Sequence, residues 1–332
     1  MTGMVSRVEG SSGGPVREAL RRAMRSDAWT IGLLAIFLGL FVFTIVLRPT
    51  FRLEALAIAS LPVAFAAVGQ AIVVISGGID LSIGSVMALT NVIAAVLLEA
   101  YPELSIPIVI LVLLIGLGIG ALNGILVVVS RVPDIVVTLA MLFVWAGAAL
   151  LVIETPGGSS ADWLGALITG PIVTDLVPRS LVVLLVIVGL FWIPFRRSRL
   201  GLSTYAIGSN QLAAFRSGVN VSGTKIAAYA ITGFFAALGG LSLTASTGVG
   251  TPIPGPYLLL SVAAIVLGGV SLAGGRGGLL GPIVGIYILG LIRADLTFLG
   301  VNPAYSTVIQ GVIMVAVVMV GAWLTLRRSR AV

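Results

Sequence analysis

Between Glu54 and Glu99 the chain carries a single charged residue, Asp80, inside the decapeptide SGGIDLSIGS (76–85). A carboxylate beside Gly77, Gly78, Ser82 and Ser85 can accept hydrogen bonds from amides or hydroxyls, while the glycines let the backbone turn. Two uses of that chemistry are open. Asp80 can cap the helix that follows, accepting from the amide of Ser82 or Ile83. Alternatively, Asp80, Ser82 and Ser85 can offer hydrogen bonds to the hydroxyls of a bound molecule. The other polar residues within long apolar runs are neutral: Gln70, Asn91, Asn123 and Thr138. Such groups suit an uncharged, hydroxyl-bearing molecule, and they equally suit hydrogen bonds between helices. The sequence contains neither histidine nor cysteine, so the commonest general base, proton shuttle and thiolate metal ligand are missing. Its one lysine, Lys225, lies between Thr224 and Ile226 and cannot belong to a Gly-Lys-Ser/Thr phosphate loop. No cofactor or metal is expected on this chain, and any ATP-driven work must be done by another.

These groups sit in a very apolar background. Hydrophobic residues make up 58% of the 332 and charged residues 9%, against roughly 25% charged in a soluble domain. Apolar runs of about 20 residues are long enough to cross a ~30 Å hydrocarbon core as helices. The alternating ten-residue pattern of an outer-membrane barrel is absent. The prediction is an all-α polytopic membrane protein of about ten spans: 29–47, 55–75, 80–98, 106–130, 134–153, 177–195, 225–245, 257–272, 279–299 and 305–326. The eighth is short and glycine-bounded, as a partial or re-entrant helix would be. Residues 1–28 form a basic N-terminal tail, 29–326 the membrane domain, and 327–332 a C-terminal tail. Placing both termini in the cytoplasm puts 15 of the 19 basic residues inside and leaves Arg48, Arg52, Arg179 and Arg293 outside. That asymmetry accounts for the net charge of +7 without a nucleic-acid partner; lipid is the expected surrounding.

Two glycine series recur every four residues: Gly116, Gly120 and Gly124 in the fourth span, and Gly277, Gly281 and Gly285 at the start of the ninth. That spacing puts three glycines on one helix face, where another backbone can come close. Reading GLGIGALNG as a dinucleotide loop fails, because no strand precedes it. The segments AVGQAIVVISGGIDLS (67–82) and ALGGLSLTASTGVGTP (237–252) align loosely. They suggest that spans two to five repeat, inverted, as spans seven to ten, an arrangement known in transporters.

The longest internal loop, 196–225, is basic and broken by glycine. Within it SNQLAAFRSG reads as a short helix, capped by Asn210 or Ser209 and ended by Gly218. Leu212, Ala213, Phe215 and Arg216 would form a small surface for a cytoplasmic partner, or a plain connector lying on lipid. The turn AGGRGG (273–278) could cradle a phosphate or simply reverse the chain.

Three stretches carry a family resemblance: SGGIDLSIGSVMALT, GLSTYAIGSNQLAAFRSGVNVSGTKIAAYAITGFFAALGGL and VLGGVSLAGGRGGLLGPIVGIYILGLI. In this order they resemble the permease subunits of ABC importers for ribose and related simple sugars. The resemblance implies a multi-pass protein of the bacterial inner membrane that pairs with a second permease subunit, identical or paralogous. It implies cytoplasmic ATPase subunits that hold ATP and Mg, and an extracytoplasmic sugar-binding protein. It also implies that 208–218 is the coupling helix, with Asn210, Ala213, Ala214, Arg216 and Gly218 at the ATPase contact. Permeases for nucleosides or branched-chain amino acids, and more remotely a secondary carrier, are the alternatives.

Overall fold

The computed structural model describes residues 15–172, 177–302, 304–313, 315, 316 and 319, with side chains from Trp29 onward. Thirteen α-helices can be followed among these residues. The first five are α1 (Pro15–Leu47), α2 (Leu53–Ile75), α3 (Ile83–Ala100), α4 (Ser105–Ser130) and α5 (Asp134–Val152). Then come α6 (Asp162–Ile168), α7 (Arg179–Arg197), α8 (Arg199–Ser209), α9 (Gln211–Arg216) and α10 (Val221–Thr247). The series closes with α11 (Tyr257–Leu267), α12 (Leu280–Phe298) and α13 (Ala304–Ile313). No strand forms among the described residues, and eight of the helices are long and apolar enough to cross a membrane. The protein is therefore an all-α polytopic membrane protein.

The helix α1 begins at Pro15, so half of the predicted tail continues the first span. The predicted eighth span is cut to the 11 residues of α11, about 16 Å at 1.5 Å per residue, which is half a hydrocarbon core. Most of the second half of the predicted tenth span, and the C-terminal tail, lie outside the described residues. The short α6 was not anticipated; it buries Leu164 and Ile168.

The centre of the bundle is α2, in which every residue from Ser60 to Ile75 is buried. A helix apolar on all faces has to be enclosed. Here α7, α10, α11 and α12 enclose it, and α10 in turn packs on α3 and α4. Close approach of α4 to α10 follows from Gly116, Gly120 and Gly124. A Cβ on Gly120 would collide with the carbonyl of Tyr229, one on Gly116 with that of Gly233, and one on Gly124 with the backbone of Ile226. The second series is only partly helical. Gly281 meets Gly268 and Gly285 meets Ala264, joining α12 to α11. Gly277 precedes α12 with φ +132° and faces Val270, so it belongs to a turn and shares no helix face with the other two. The outward faces of α4 and α5 carry exposed apolar residues such as Leu114, Val129, Phe143 and Leu151.

Gly118 supplies an internal control, because a Cβ there meets nothing within 4 Å. Gly120→Leu should lower the yield and detergent melting temperature of the protein, costing at least ~1–3 kcal/mol through overpacking, while Gly118→Leu should leave both unchanged. Equal melting temperatures for the two variants would contradict the packing reading.

Candidate functional site at the break between α2 and α3

The helix α2 has 23 residues, about 34 Å, and so crosses a full hydrocarbon core before it ends at Ile75. The SGGIDLS segment therefore lies at one end of the bundle, not at mid-depth. Gly77, at φ +84°, closes α2 in a left-handed turn: its amide donates to Val74 O at 2.9 Å and that of Gly78 to Val73 O at 3.0 Å. The same turn recurs after α11, where Gly269 N donates to Val266 O and Val270 N to Ile265 O. After α10 the amide of Gly248 bonds back to Thr244 O and that of Val249 to the Thr247 hydroxyl, a different closure.

Asp80 is 2% exposed, and its Oδ1 accepts from Ser82 N at 2.8 Å and from Ser82 Oγ at 2.6 Å. This turn feeds α3, whose flanking residue is Ser82; the Ser82 side chain makes no cap bond. Ser85 Oγ donates back to Ser82 O at 2.7 Å. Ser82 Oγ accepts from Asn123 Nδ2 at 2.8 Å, and Asn123 Oδ1 accepts from Trp145 Nε1 at 3.1 Å. Donors thus run in one direction, from Trp145 on α5 through Asn123 on α4 and Ser82 to the Asp80 carboxyl. Aligned bonds in a low-dielectric interior strengthen one another.

A second group holds the same segment from α5 and α10. Thr138 Oγ1 accepts from Leu81 N at 3.1 Å. Tyr229, fully buried, places its hydroxyl 3.0 Å from Asp134 Oδ2 and 3.3 Å from Ile79 O. Lys225 Nζ lies 3.4 Å from the same Asp134 oxygen. A Cβ on Gly78 would stand 2.6 Å from that oxygen, so the carboxylate rests on Gly78 itself. From below, Gly208 of α8 packs against Ile75 O, and Gly275 N donates to Ile75 O at 2.9 Å. In the AGGRGG turn, Gly275 thus spends its amide on protein.

The structure gathers Gly77, Gly78, Asp80, Ser82, Ser85, Asn123 and Thr138 at this break. Asn91 is elsewhere, donating to Thr244 Oγ1 at 2.8 Å and accepting from Thr251 N at 2.7 Å, between α3 and the end of α10. Gln70 is fully buried on α2, and neither end of its amide has a partner among the described residues. Asp134, Tyr229 and Trp145 were not singled out from sequence, and Lys225 only as a lysine outside any phosphate loop; the signal available was that lone lysine, with an acid opening the fifth span.

Two further features flank the site. The helix α9 starts at Asn210, whose Oδ1 accepts from Ala213 N at 2.9 Å, and it ends before Gly218 at φ +83°. Ala214 is buried, whereas Ala213, Arg216, Leu212 (59%) and Phe215 (66%) face outward. At the opposite end of the bundle a cavity of about 880 Å³ opens between the ends of α1, α2, α11 and α12. Its walls include Arg48, Ser60, Tyr257, Arg293 and Thr297. No group of three or more acidic side chains that could hold a metal occurs among the described residues.

A multi-pass helical bundle with a buried, hydrogen-bonded chain break at one end and a short outward-facing helix beside it has the layout of a transport protein. The family model described as "Branched-chain amino acid transport system / permease component" matches residues 52–318. The chain belongs to this family, and is the permease of an ABC importer in the bacterial inner membrane. It is 34% identical to the ribose import permease protein RbsC of Escherichia coli K12 over 263 residues, 77% of this chain and 81% of that protein. It is 31% identical to the autoinducer 2 import system permease protein LsrD of Yersinia enterocolitica over 264 residues, 77% and 78% of the two chains. The galactose/methyl galactoside import permease protein MglC of Haemophilus influenzae is 34% identical over 272 residues, 76% and 81%. No solved structure matches the chain.

Asp80→Ala leaves the Ser82 amide and hydroxyl without their acceptor, which should cost about 1–3 kcal/mol and show as a lower melting temperature in detergent. Asp80→Asn keeps Oδ1 and should lose less than half of that. If Asn melts as low as Ala, the charge and not the acceptor oxygen is what the break requires.

Proposed function

We propose that this permease carries a small neutral sugar inward, and that an ATP-hydrolysing partner drives it by docking on α9. The observation that carries the coupling role is α9 itself. This is a capped single-turn helix with Leu212 and Phe215 exposed, joined through α8 to the underside of the α2–α3 break. Under this reading the α8–α9 end is cytoplasmic, in agreement with the bias of basic residues. ATP and Mg belong to the docked partner. The large cavity then opens to the outside, where an extracytoplasmic binding protein would release its sugar. Tyr257 offers a ring for a sugar face, and Ser60, Thr297 and the arginines offer hydroxyl-compatible hydrogen bonds.

Relatives named for ribose, galactose and autoinducer 2 import support a sugar-like cargo. The outward apolar faces of α5 and α4 provide surface for a second permease subunit as well as for lipid. The family description favours one second reading, a branched-chain amino acid as cargo. Uptake of labelled pentoses, hexoses and leucine, by the permease reconstituted with its ATPase and binding protein, separates the two; leucine uptake without sugar uptake would overturn the first.

The docking role has its own test. Gly218→Val forces a β-branched residue into left-handed backbone, at a cost of roughly 1–2 kcal/mol, and Phe215→Asp puts a charge on the proposed contact. Both should reduce co-purification of the ATPase and ATP-driven uptake, with the melting temperature of the permease in detergent nearly unchanged. Full co-purification and uptake in Phe215→Asp would move the docking site away from α9.

A further inference from the structure

We infer that Lys225, Asp134 and Tyr229 form a positioning joint that passes movement of α9 to the α2–α3 break, a role that rests on the ATP-coupled reading above. The chain leaves α9 and enters α10 within four residues, 217–220. Val219 N donates to Ala214 O at 3.1 Å, and Asn220 Oδ1 caps α10 through Gly223 N at 2.9 Å. The link is short and hydrogen-bonded at both ends, so α9 cannot shift far without taking the first turns of α10 along. Lys225 and Tyr229 stand in those turns, four residues apart and therefore on one face. Both reach one oxygen, Asp134 Oδ2, at 3.4 and 3.0 Å. Asp134 is the first residue of α5. The same oxygen rests on Gly78, and the Tyr229 hydroxyl lies 3.3 Å from Ile79 O. A single carboxylate oxygen thus meets the start of α10, the start of α5 and the break that precedes α3.

Burial decides what such an arrangement is good for. The Lys225 and Asp134 side chains are 14% and 17% exposed, and Tyr229 is fully enclosed. For a pair this enclosed, desolvation largely offsets attraction, so it adds little net stability over apolar residues of the same shape. It is, however, steeply sensitive to geometry, because its oxygen must stay within reach of an ammonium and a phenol carried by another helix. A joint of low net stability and sharp register can hold two arrangements of packed helices, which a continuously deformable contact cannot. The remaining support of the break is distinct from it. Gly208 and Gly275 press on the end of α2, and the Trp145–Asn123–Ser82–Asp80 chain holds the start of α3. Of the contacts described, only the Asp134 joint ties the break to the helix that directly follows α9 by side chains that can part and re-form.

The test uses the complete transporter, permease with its ATPase and binding protein in proteoliposomes, and reads sugar taken up per ATP hydrolysed. Tyr229→Phe removes only a hydroxyl and keeps the ring in its pocket. Lys225→Met and Asp134→Asn remove the charges, and Lys225→Arg restores one. Tyr229→Phe, Lys225→Met and Asp134→Asn should each lower the uptake-to-hydrolysis ratio by about fivefold, with ATPase co-purification intact, and Lys225→Arg should recover most of the ratio. An unchanged ratio in Tyr229→Phe, or a loss of uptake and hydrolysis in step with a falling melting temperature, would overturn the joint and leave a structural staple. Failure of the wild-type complex to bind the ATPase or to take up sugar with ATP would instead overturn the coupled reading beneath it.

Discussion

Backbone amides and carbonyls that leave a helix inside a greasy bundle must find partners, since neither lipid nor apolar side chains supply any. Residues 76–82 are the place where this protein meets that requirement most densely. Seven residues separate the end of α2 from the start of α3, and four other parts of the chain supply what they need. α4 contributes Asn123, held in turn by Trp145; α5 contributes Thr138 and the Asp134 carboxylate against Gly78, α10 contributes Tyr229, and the turn before α12 holds the adjoining Ile75 carbonyl through the Gly275 amide. Satisfying this one irregular stretch fixes how five helices sit relative to each other. The close α4–α10 contact is the same constraint seen from its other side. Asn123 and Tyr229 reach the break only if α4 and α10 run nearly in backbone contact, and Gly116, Gly120, Gly124 and Gly233 permit that approach.

What was legible in the sequence follows from the range of each signal. Apolar runs report on lipid residue by residue, so most spans were placed to within a few residues. The short loop helix was legible because Asn210 and Gly218 act on their own backbone. An acceptor role for Asp80 toward the amide of Ser82 or Ile83 was legible for the same reason, beside the open reading of a cargo contact; the structure gives Ser82, two residues away. What failed was periodicity carried past a helix end. Gly277 continues a four-residue spacing in sequence, but α12 begins at Leu280 and the turn before it takes Gly277 off the face. Asn123 was found as an isolated polar residue in a span, yet its partners, Ser82 and Trp145, are set by how α3, α4 and α5 pack. No local rule relates positions 41 and 22 residues apart.

The two ends of the bundle differ in kind, and the difference bears on transport. At the α8–α9 end the described polar groups of the break bond to other parts of the protein, leaving little to offer a cargo. At the other end, the space between α2, α11 and α12 is open and carries hydroxyls, an aromatic ring and arginines. The open cavity and the closed, hydrogen-bonded break thus lie at opposite ends of α2, which is buried from Ser60 to Ile75 between them.

Gln70 lies on the path between those ends. Positions 56, 60, 63 and 70 fall within about 80° of arc on a helix with 3.6 residues per turn. Leu56, Ser60 and Val63 all line the cavity, so Gln70 shares their face, two turns deeper than Val63. An amide buried with neither donor nor acceptor matched costs roughly 1–3 kcal/mol. That cost is relieved if the cavity deepens along this face when the bundle rearranges, because a cargo hydroxyl or a water arriving there would find an amide already waiting. The groups at the break are spent and Gln70 is not. Ser180, Tyr287, Asp295 and Ser306 also hold buried polar atoms without a partner among the described residues, but of these side chains only Gln70 stands on the central helix, on the face that the cavity opens.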